Sequence, residues 1–308
     1  MQMKILLALD GSLYSEMAVR TVEAIQLPSE TEVTVMTVVP EYTFLGGITL
    51  DILRGGTSVR KEAQQQKAAV LLQNYAQSLT AIGLKIESLV RWGNPAEEIL
   101  NATYGKQVDL VVIGAKGMGD PERFPLGTVA QKVMKYADCS VLLTREKIAM
   151  FRRVLLAMDG SQDADAVATF LLELPLPRRS EVILLASLQS HSAALSKMLS
   201  FDLENNRQTL AELQANEERE ARELLSKTKK RFQDKGYDVS LLVLRGDPAE
   251  EILASAATLY PDLIALGAKG LTGIEAFLLG STAQRVARFS RYSVLIGRSQ
   301  RGKKGYGK

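Results

Sequence analysis

The sequence predicts two consecutive copies of a doubly wound α/β domain, each built on a five-stranded parallel sheet. The chain has 308 residues, which is enough for two domains of ordinary size. Its two halves repeat one another, since KILLALDGS at 4–12 matches RVLLAMDGS at 153–161. Within each half, short apolar runs alternate with segments of helical periodicity. This alternation is typical of a parallel sheet covered by helices on both faces.

Two further matches fix the length of the repeat. GNPAEEIL at 93–100 matches GDPAEEIL at 246–253, and a GAKG segment begins at both Gly114 and Gly267. The offset is 149 residues for the first match and 153 for the later ones, so the second copy is four residues longer. The polar stretch 189–218 holds the extra residues, and we expect it to be a loop that runs into a longer helix.

The repeat predicts domain boundaries. We expect a first domain at 1–147, a second at 151–300, and a flexible basic tail at 301–308. Residues 146–151 form a short linker that cannot let the halves move far apart.

Five apolar runs in each half predict the strands, and a capping signal predicts the helix that follows the third one. Asn94 before Pro95, and Asp247 before Pro248, are typical of a helix N-cap followed by proline in the first turn. The predicted strands are ILLAL, VTVMTVV, KIESLVR, DLVVIGA and SVLLTR in the first half, and VLLAM, VILLASL, VSLLVLR, DLIALGA and SVLIGR in the second.

Composition excludes several classes of function. The net charge is +3, and four basic residues lie in the last eight, so the rest of the chain carries no nucleic-acid signature. No apolar run reaches the roughly 20 residues of a membrane span. The single cysteine, Cys139, cannot supply an intramolecular disulfide or a multi-cysteine zinc site, and the single histidine, His191, cannot supply a histidine metal cluster. A lone histidine in a polar stretch is also far more often exposed than catalytic. We expect Cys139 to be buried, His191 to be exposed, and the protein to be cytoplasmic.

The loop after the fourth strand carries the chemistry in both copies. Gly114 and Gly117 are followed by nine residues and then by Gly127-Thr128, and the second copy keeps this spacing. Glycine lets a backbone approach a phosphate, and a helix start offers free N–H groups. The pattern therefore predicts a polyphosphate cradle. Plain turn glycines and Ser or Thr helix caps are the alternative from these residues alone.

With Asp after the first strand, this G-x-x-G, nine residues, G-[ST] pattern resembles the ATP-binding branch of the universal stress proteins over nearly the whole chain, twice. The resemblance implies strand order 3-2-1-4-5 in each domain and loops that surround ribose and phosphates. The loop residues it implies are Gly114, Gly117, Gly127, Thr128 and Val129 in the first copy, and Gly267, Gly270, Gly280, Ser281 and Thr282 in the second.

The same resemblance implies an adenosine pocket at the ends of the first two strands. Asp10 and Asp159 match the position beside the adenosine, although they could instead serve only to start the next helix. Val38 and its counterpart Ser187 match a position whose main chain faces adenine. Ala8 and Ala157 are expected to line the same pocket.

The two loops predicted to hold phosphates, 114–127 and 267–280, are called the phosphate loops below, and they differ in composition. The first contains Asp120, Pro121, Glu122 and Pro125, whereas the second reads TGIEAFLL. Carboxylates and rigid prolines near phosphates predict weaker binding at the first site.

These features predict a stress-response signalling protein that binds ATP or another adenine nucleotide, with Mg or Mn as an optional companion of the phosphates. We expect the nucleotide to bias contacts with unknown protein partners, with neither nucleic acid nor membrane among them. The resemblance implies that the fifth strands join the two lobes as a pseudo-dimer, and a homodimer of the whole chain stays open. A slow ATPase or nucleotide-transferring enzyme, and an adaptor with empty pockets, are the alternatives to a non-enzymatic binding protein.

Overall fold

The computed structural model describes most of the chain, which divides into two compact units, Met1–Ala149 and Met150–Lys308. The descriptions below rest on residues 3–25, 27–28, 30–40, 57–118, 125–146, 150–174, 176–177, 179–188, 203–270 and 279–299, with the backbone alone at 57–60 and 203–210.

Strands and helices alternate along both units, as the sequence predicts. The first unit contains β1 (Lys4–Ala8), α1 (Leu13–Ala24), β2 (Glu32–Val39), α2 (Thr57–Ala81), β3 (Lys85–Trp92), α3 (Pro95–Lys106), β4 (Leu110–Gly114), α4 (Thr128–Tyr136) and β5 (Ser140–Thr144). The second contains β6 (Arg153–Ala157), α5 (Gln162–Glu173), β7 (Glu181–Leu188), α6 (Leu203–Gln233), β8 (Asp238–Arg245), α7 (Pro248–Leu259), β9 (Leu263–Gly267), α8 (Ser281–Phe289) and β10 (Ser293–Gly297).

Every strand pairing within a unit is parallel. In the first unit β1 pairs with both β2 and β4, while β3 and β5 extend the sheet on either side. The order is therefore 3-2-1-4-5, which confirms the prediction for this unit. The second unit repeats it, with β6 between β7 and β9 and with β8 and β10 outside them.

The central strands explain why the sheet forms where it does. Four of the five residues of β1 and all five residues of β4 are buried, as expected for strands covered by helices on both faces. The strands β3 and β8 contain only partly covered and exposed residues. Burial of the apolar β-branched runs thus stabilises the middle of each sheet.

Side-chain caps start four of the helices. Ser12 and Ser161 accept hydrogen bonds at the starts of α1 and α5. The predicted caps of α3 and α7 are confirmed, since Asn94 accepts from the amides of Ala96 and Glu97, and Asp247 accepts from the amide of Glu250. Such caps typically contribute about 1 kcal/mol each.

Other sequence predictions have mixed outcomes. The longer helix of the second copy is confirmed, because α6 has 31 residues and α2 has 25. Cys139 is buried, as predicted. His191 and the tail 301–308 lie outside the described residues. Within the described part of the chain, the helices are too short or too polar to cross a lipid bilayer.

Candidate functional site

Each unit brings two loops together at the carboxyl edge of its sheet. Because β1 lies beside β4, the loop beginning at Leu9 meets the loop beginning at Ala115. Winding reverses between these two strands, and this is where ligands bind in doubly wound sheets. The corresponding loops of the second unit begin at Met158 and Ala268.

We call the region between the loops after β1 and β4, and its counterpart between the loops after β6 and β9, the mouth of the unit. Asp10 organises the mouth of the first unit. Its Oδ1 accepts hydrogen bonds from the Ser12 amide (3.0 Å) and the Ser15 hydroxyl (2.6 Å), and its Oδ2 accepts from the Met118 amide (2.8 Å). The Asp10 amide in turn donates to Ser15 Oγ at 2.8 Å. Gly11 adopts the left-handed φ of +81° that this tight turn requires. One carboxylate therefore joins the loop after β1 to the loop after β4.

The environment of Asp10 favours its ionised form. Partial burial alone would raise the pKa of this carboxyl, but hydrogen bonds from Ser12, Ser15 and the amide of Met118 outweigh it. The pKa of Asp10 consequently lies below its ordinary value of 3.8. The carboxylate is a permanent acceptor at neutral pH.

The second unit joins the same two loops through different residues. Asp159 Oδ1 accepts from the Ser161 amide at 2.9 Å, as its counterpart does in the first unit. Asp163 links this region to the loop after β9, since its Oδ2 accepts from the Lys269 amide at 3.1 Å, and the Ser161 hydroxyl adds a second link by donating to the Lys269 carbonyl at 3.0 Å. Asp163 Oδ1 also accepts from the amide (2.9 Å) and the hydroxyl (2.7 Å) of Ser299.

Sequence reasoning missed Asp163. Its counterpart in the first copy is Tyr14, so comparison of the repeats gives no signal at this position. A carboxylate in the first turn of α5, where the helix dipole favours negative charge, was the available clue.

The alternative role of Asp10 and Asp159, which is to help start the next helix, also finds support. Each carboxylate accepts from the amide of a serine two residues later, and that serine is the N-cap of the next helix. This arrangement helps the helix begin, and both aspartates, although they are partly covered by their hydrogen-bond partners, keep solvent-accessible surface at the mouth. The carboxylates therefore combine a local structural role with access to a ligand.

The first glycine of each phosphate loop has a packing role. A Cβ on Gly114 would lie 2.6 Å from Cβ of Tyr14, and one on Gly267 would lie 2.7 Å from the amide nitrogen of Ala164. Strands β4 and β9 thus end directly against the first turns of α1 and α5. Close contact between strand and helix explains these two glycines without any phosphate.

The second glycine of the motif approaches the aspartate loop. A Cβ on Gly270 would stand 2.8 Å from Asp159 Oδ2, so any larger residue would displace the carboxylate. Gly270 is exposed and Gly117 is half-buried. Gly270 thus lies beside the loop after the first strand of its unit.

The helices after the phosphate loops begin without a side-chain cap. Gly127 and Gly280 are the N-caps of α4 and α8, and neither can accept a hydrogen bond with a side chain. Their amides instead donate to Ala115 and Ala268, both at 2.8 Å, which folds each loop back on its start. The suggestion that Thr128 or Ser281 is a plain helix cap is therefore wrong, because each stands one residue inside its helix.

These helix starts suit an anion. The first amides of a helix have no partner within the helix, and glycine at the N-cap brings no side chain to cap them. In the second unit these amides belong to Ser281 and Thr282, with Ser281 exposed and Thr282 half-buried. Thr128 and Val129 take the same places and the same exposure in the first unit.

Val38 and Ser187 lie near the ends of β2 and β7, two residues past the last positions at which these strands pair with β1 and β6. The carbonyls of Met36 and Leu185 still accept from Leu9 and Met158, at 2.8 Å in both cases. Peptide groups two residues further on point the same way, so those of Val38 and Ser187 face the mouth.

The remaining predicted pocket residues fall at the same edge. Ala8 and Ala157 are the last residues of β1 and β6, and Ala8 is buried while Ala157 is half-buried. The Ser187 hydroxyl donates to the carbonyl of Gly246 at 3.0 Å, so its main chain, not its side chain, faces the mouth.

Arg145 is a further residue that sequence reasoning did not single out. It follows β5, and its guanidinium donates to the carbonyl of Pro125 at 2.8 Å. Burial lowers the pKa of Arg145, which nevertheless stays charged at any physiological pH. The charged guanidinium of Arg145 is therefore bonded to the end of the first phosphate loop. Arg298 is the counterpart of Arg145 in the second copy.

No metal centre is built into the part of the chain that the structure describes. Groups of three or more His, Cys, Asp or Glu side chains able to hold an ion are absent there.

Fold and loops first define a general class, a tandem of doubly wound α/β domains with glycine-bearing loops at the switch point. The sequence profile of the Universal stress protein family matches the chain twice, at residues 1–145 and 150–298. The chain belongs to the universal stress protein family and carries its domain in two copies.

Single-domain relatives match about half of the chain. Universal stress protein YxiE of Bacillus subtilis is 29% identical over 146 residues, which are 46% of this chain and 98% of the relative. Universal stress protein MJ0531 of Methanocaldococcus jannaschii is 29% identical over 147 residues, which are 48% of this chain and 82% of the relative.

A crystal structure of a universal stress protein from Archaeoglobus fulgidus resembles the whole chain. The alignment covers 98% of this chain and 97% of that one, with a TM-score of 0.64 and 20% identity. This likeness supports the fold.

Proposed function

We propose that this protein binds an adenine nucleotide at the mouth of each unit and works as a stress-response signalling protein. ATP is the preferred ligand, because the uncapped starts of α4 and α8 offer several amides to a chain of phosphates. The ribose and adenine would lie against Asp10 and Ala8 in the first unit, and against Asp159 and Ala157 in the second.

One observation carries the proposal: the same arrangement is built twice with different contacts. Met118 reaches Asp10 in the first unit, whereas Lys269 reaches Asp163 in the second. In both, the phosphate loop is held against the loop after the first strand, and a glycine N-cap begins the helix that follows it. The two loops are held together in both units although the hydrogen bonds between them differ, and this supports a common ligand.

Bound nucleotide would act by changing the affinity of partners for the surface around the mouth. A ligand shifts such an equilibrium only by the difference in its affinity for the two states. The loops at 115–118 and 268–270 are the parts of that surface nearest to the proposed phosphates. We place this activity in the cytoplasm and outside enzymatic catalysis.

Gly280→Val tests the proposal. A Cβ at this position lies 3.2 Å from the Ala268 carbonyl oxygen and 3.6 Å from Cα of Lys269, so valine would push the start of α8 away from its loop. A charge-assisted hydrogen bond is worth about 1.5 to 3 kcal/mol, so loss of two would weaken binding at least a hundredfold. Isothermal titration with ATP should show two molecules per chain in the wild type and one in the variant.

Gly105→Val is the matched control. Gly105 lies in α3, and a Cβ there meets nothing within 4 Å. This variant should bind ATP as the wild type does. An unchanged stoichiometry in Gly280→Val, or no heat and no thermal stabilisation by millimolar ATP in the wild type, would contradict the proposal.

A further inference from the structure

The two mouths differ at the residue that faces the aspartate from the first turn of the next helix. In the first unit Ser15 Oγ donates to Asp10 Oδ1 at 2.6 Å and accepts from the Asp10 amide at 2.8 Å. The corresponding residue of the second unit is Ala164, which has no hydroxyl. Asp159 therefore lacks this pair of hydrogen bonds.

The difference changes how much of each carboxylate is available to a ligand. An ionised carboxylate offers about four lone-pair positions. Asp10 uses three of them, for the Ser12 amide, the Ser15 hydroxyl and the Met118 amide. The short bond from Ser15 also stabilises the carboxylate charge before any ligand arrives, which leaves Asp10 a weaker acceptor.

We propose that the two nucleotide sites are unequal and that Ser15 sets the difference: its hydroxyl occupies Asp10 and weakens the first site, while Ala164 leaves Asp159 available to nucleoside hydroxyls in the second. This inference rests on the proposed function. It concerns the adenosine end of the ligand, so it is separate from the composition of the phosphate loops.

A reciprocal pair of substitutions in the full-length chain tests it, with ATP as the probe in isothermal titration. Ser15→Ala removes the competing donor, and the weaker of two binding events should tighten by about tenfold, the value of one modest hydrogen bond. Ala164→Ser adds that donor in the second unit, and the tighter event should weaken by a similar factor. Thr169→Ala, on the exposed face of α5, is the control and should change neither event.

Inorganic triphosphate separates the two ends of the ligand. Because it lacks ribose and adenine, its affinity should not change in either serine variant. A change equal to that seen with ATP would show that the substitution acts on the phosphate loop, and this would overturn the inference.

The outcomes are distinct. Two equal events in the wild type that neither substitution alters would overturn the inference and leave nucleotide binding intact. Weaker binding in Ser15→Ala would also overturn it, because Ser15 would then be preorganising Asp10 for the ligand. Should Ser15→Ala fail to fold, Ala164→Ser alone decides between these results. Absence of any ATP binding in the wild type would instead reject the proposed function.

Discussion

Asp10 shows how its neighbours fix the charge of a single carboxylate. Donors from three residues lower its pKa, although partial burial acts in the opposite direction. A carboxyl whose pKa is lower in the folded chain than in the unfolded one stabilises the fold above the unfolded pKa. That stabilisation is lost as the pH falls through the folded pKa.

Asp10→Ala should therefore have a pH-dependent effect on stability. We expect it to lower the free energy of unfolding by a constant amount, about 1 kcal/mol, between roughly pH 5 and pH 8, since several hydrogen bonds are lost together. The difference from wild type should shrink as the pH falls below the unfolded pKa of about 3.9 and through the lower folded pKa. Urea unfolding at a series of pH values measures it.

Asp234→Ala serves as the comparison, because Asp234 is an exposed carboxylate in the turn after α6. Its effect on unfolding should be small throughout. A deficit in Asp10→Ala that grows as the solution is acidified would contradict the assignment.

The contact between strand end and helix start sets the shape of each mouth. Strands β4 and β9 stop where α1 and α5 begin, and a glycine at the last strand position makes the contact possible. Only then can the loop that follows reach the aspartate loop. The first glycine of the motif thus belongs to the packing between elements, while the later ones border the proposed ligand.

Gly267→Ala should destabilise the second unit for this reason. The new Cβ would lie 2.7 Å from the Ala164 amide nitrogen and 2.9 Å from the Asp163 carbonyl carbon, so β9 and α5 must separate. Overpacking of this kind costs about 1 to 3 kcal/mol. Chemical denaturation followed by circular dichroism gives the change in free energy.

Gly105→Ala provides a control of opposite sign. Its site in α3 is open, and alanine favours a helix interior over glycine by about 0.5 to 1 kcal/mol. If both alanine variants were equally stable, the close contact at Gly267 would not exist in solution.

The chain has two mouths, and we propose that each of them holds a nucleotide. Enzymatic turnover would require a base positioned beside the phosphates, and the proposed function includes none. We therefore predict that the purified protein, incubated with ATP and Mg²⁺, releases no more ADP than a Gly127→Val/Gly280→Val double variant. A coupled assay for ADP over many protein equivalents makes the comparison.

Multiple turnovers that disappear in the double variant would show a catalytic activity at these mouths and replace the binding proposal with an ATPase. Equal, low rates in both proteins would agree with storage or sensing of the nucleotide.

The sequence by itself determined the tandem, the alternation of strands and helices, and the caps of α3 and α7. These features are local, because periodicity and capping depend on residues within a few positions of one another. The spacing of Gly114, Gly117 and Gly127 similarly marked the loop with the candidate chemistry, since a repeat within one chain makes it visible twice.

Only the tertiary structure decided what those residues contact. Asp10 meets Met118 across 108 positions, and Asp163 meets Lys269 across 106, so no local pattern contains either bond. The packing role of Gly114 and the hydroxyl of Ser15 likewise became evident only when strand ends and helix starts were brought together. Local sequence sets which elements form, and the folding of distant segments against one another sets which side chains are left to meet a ligand.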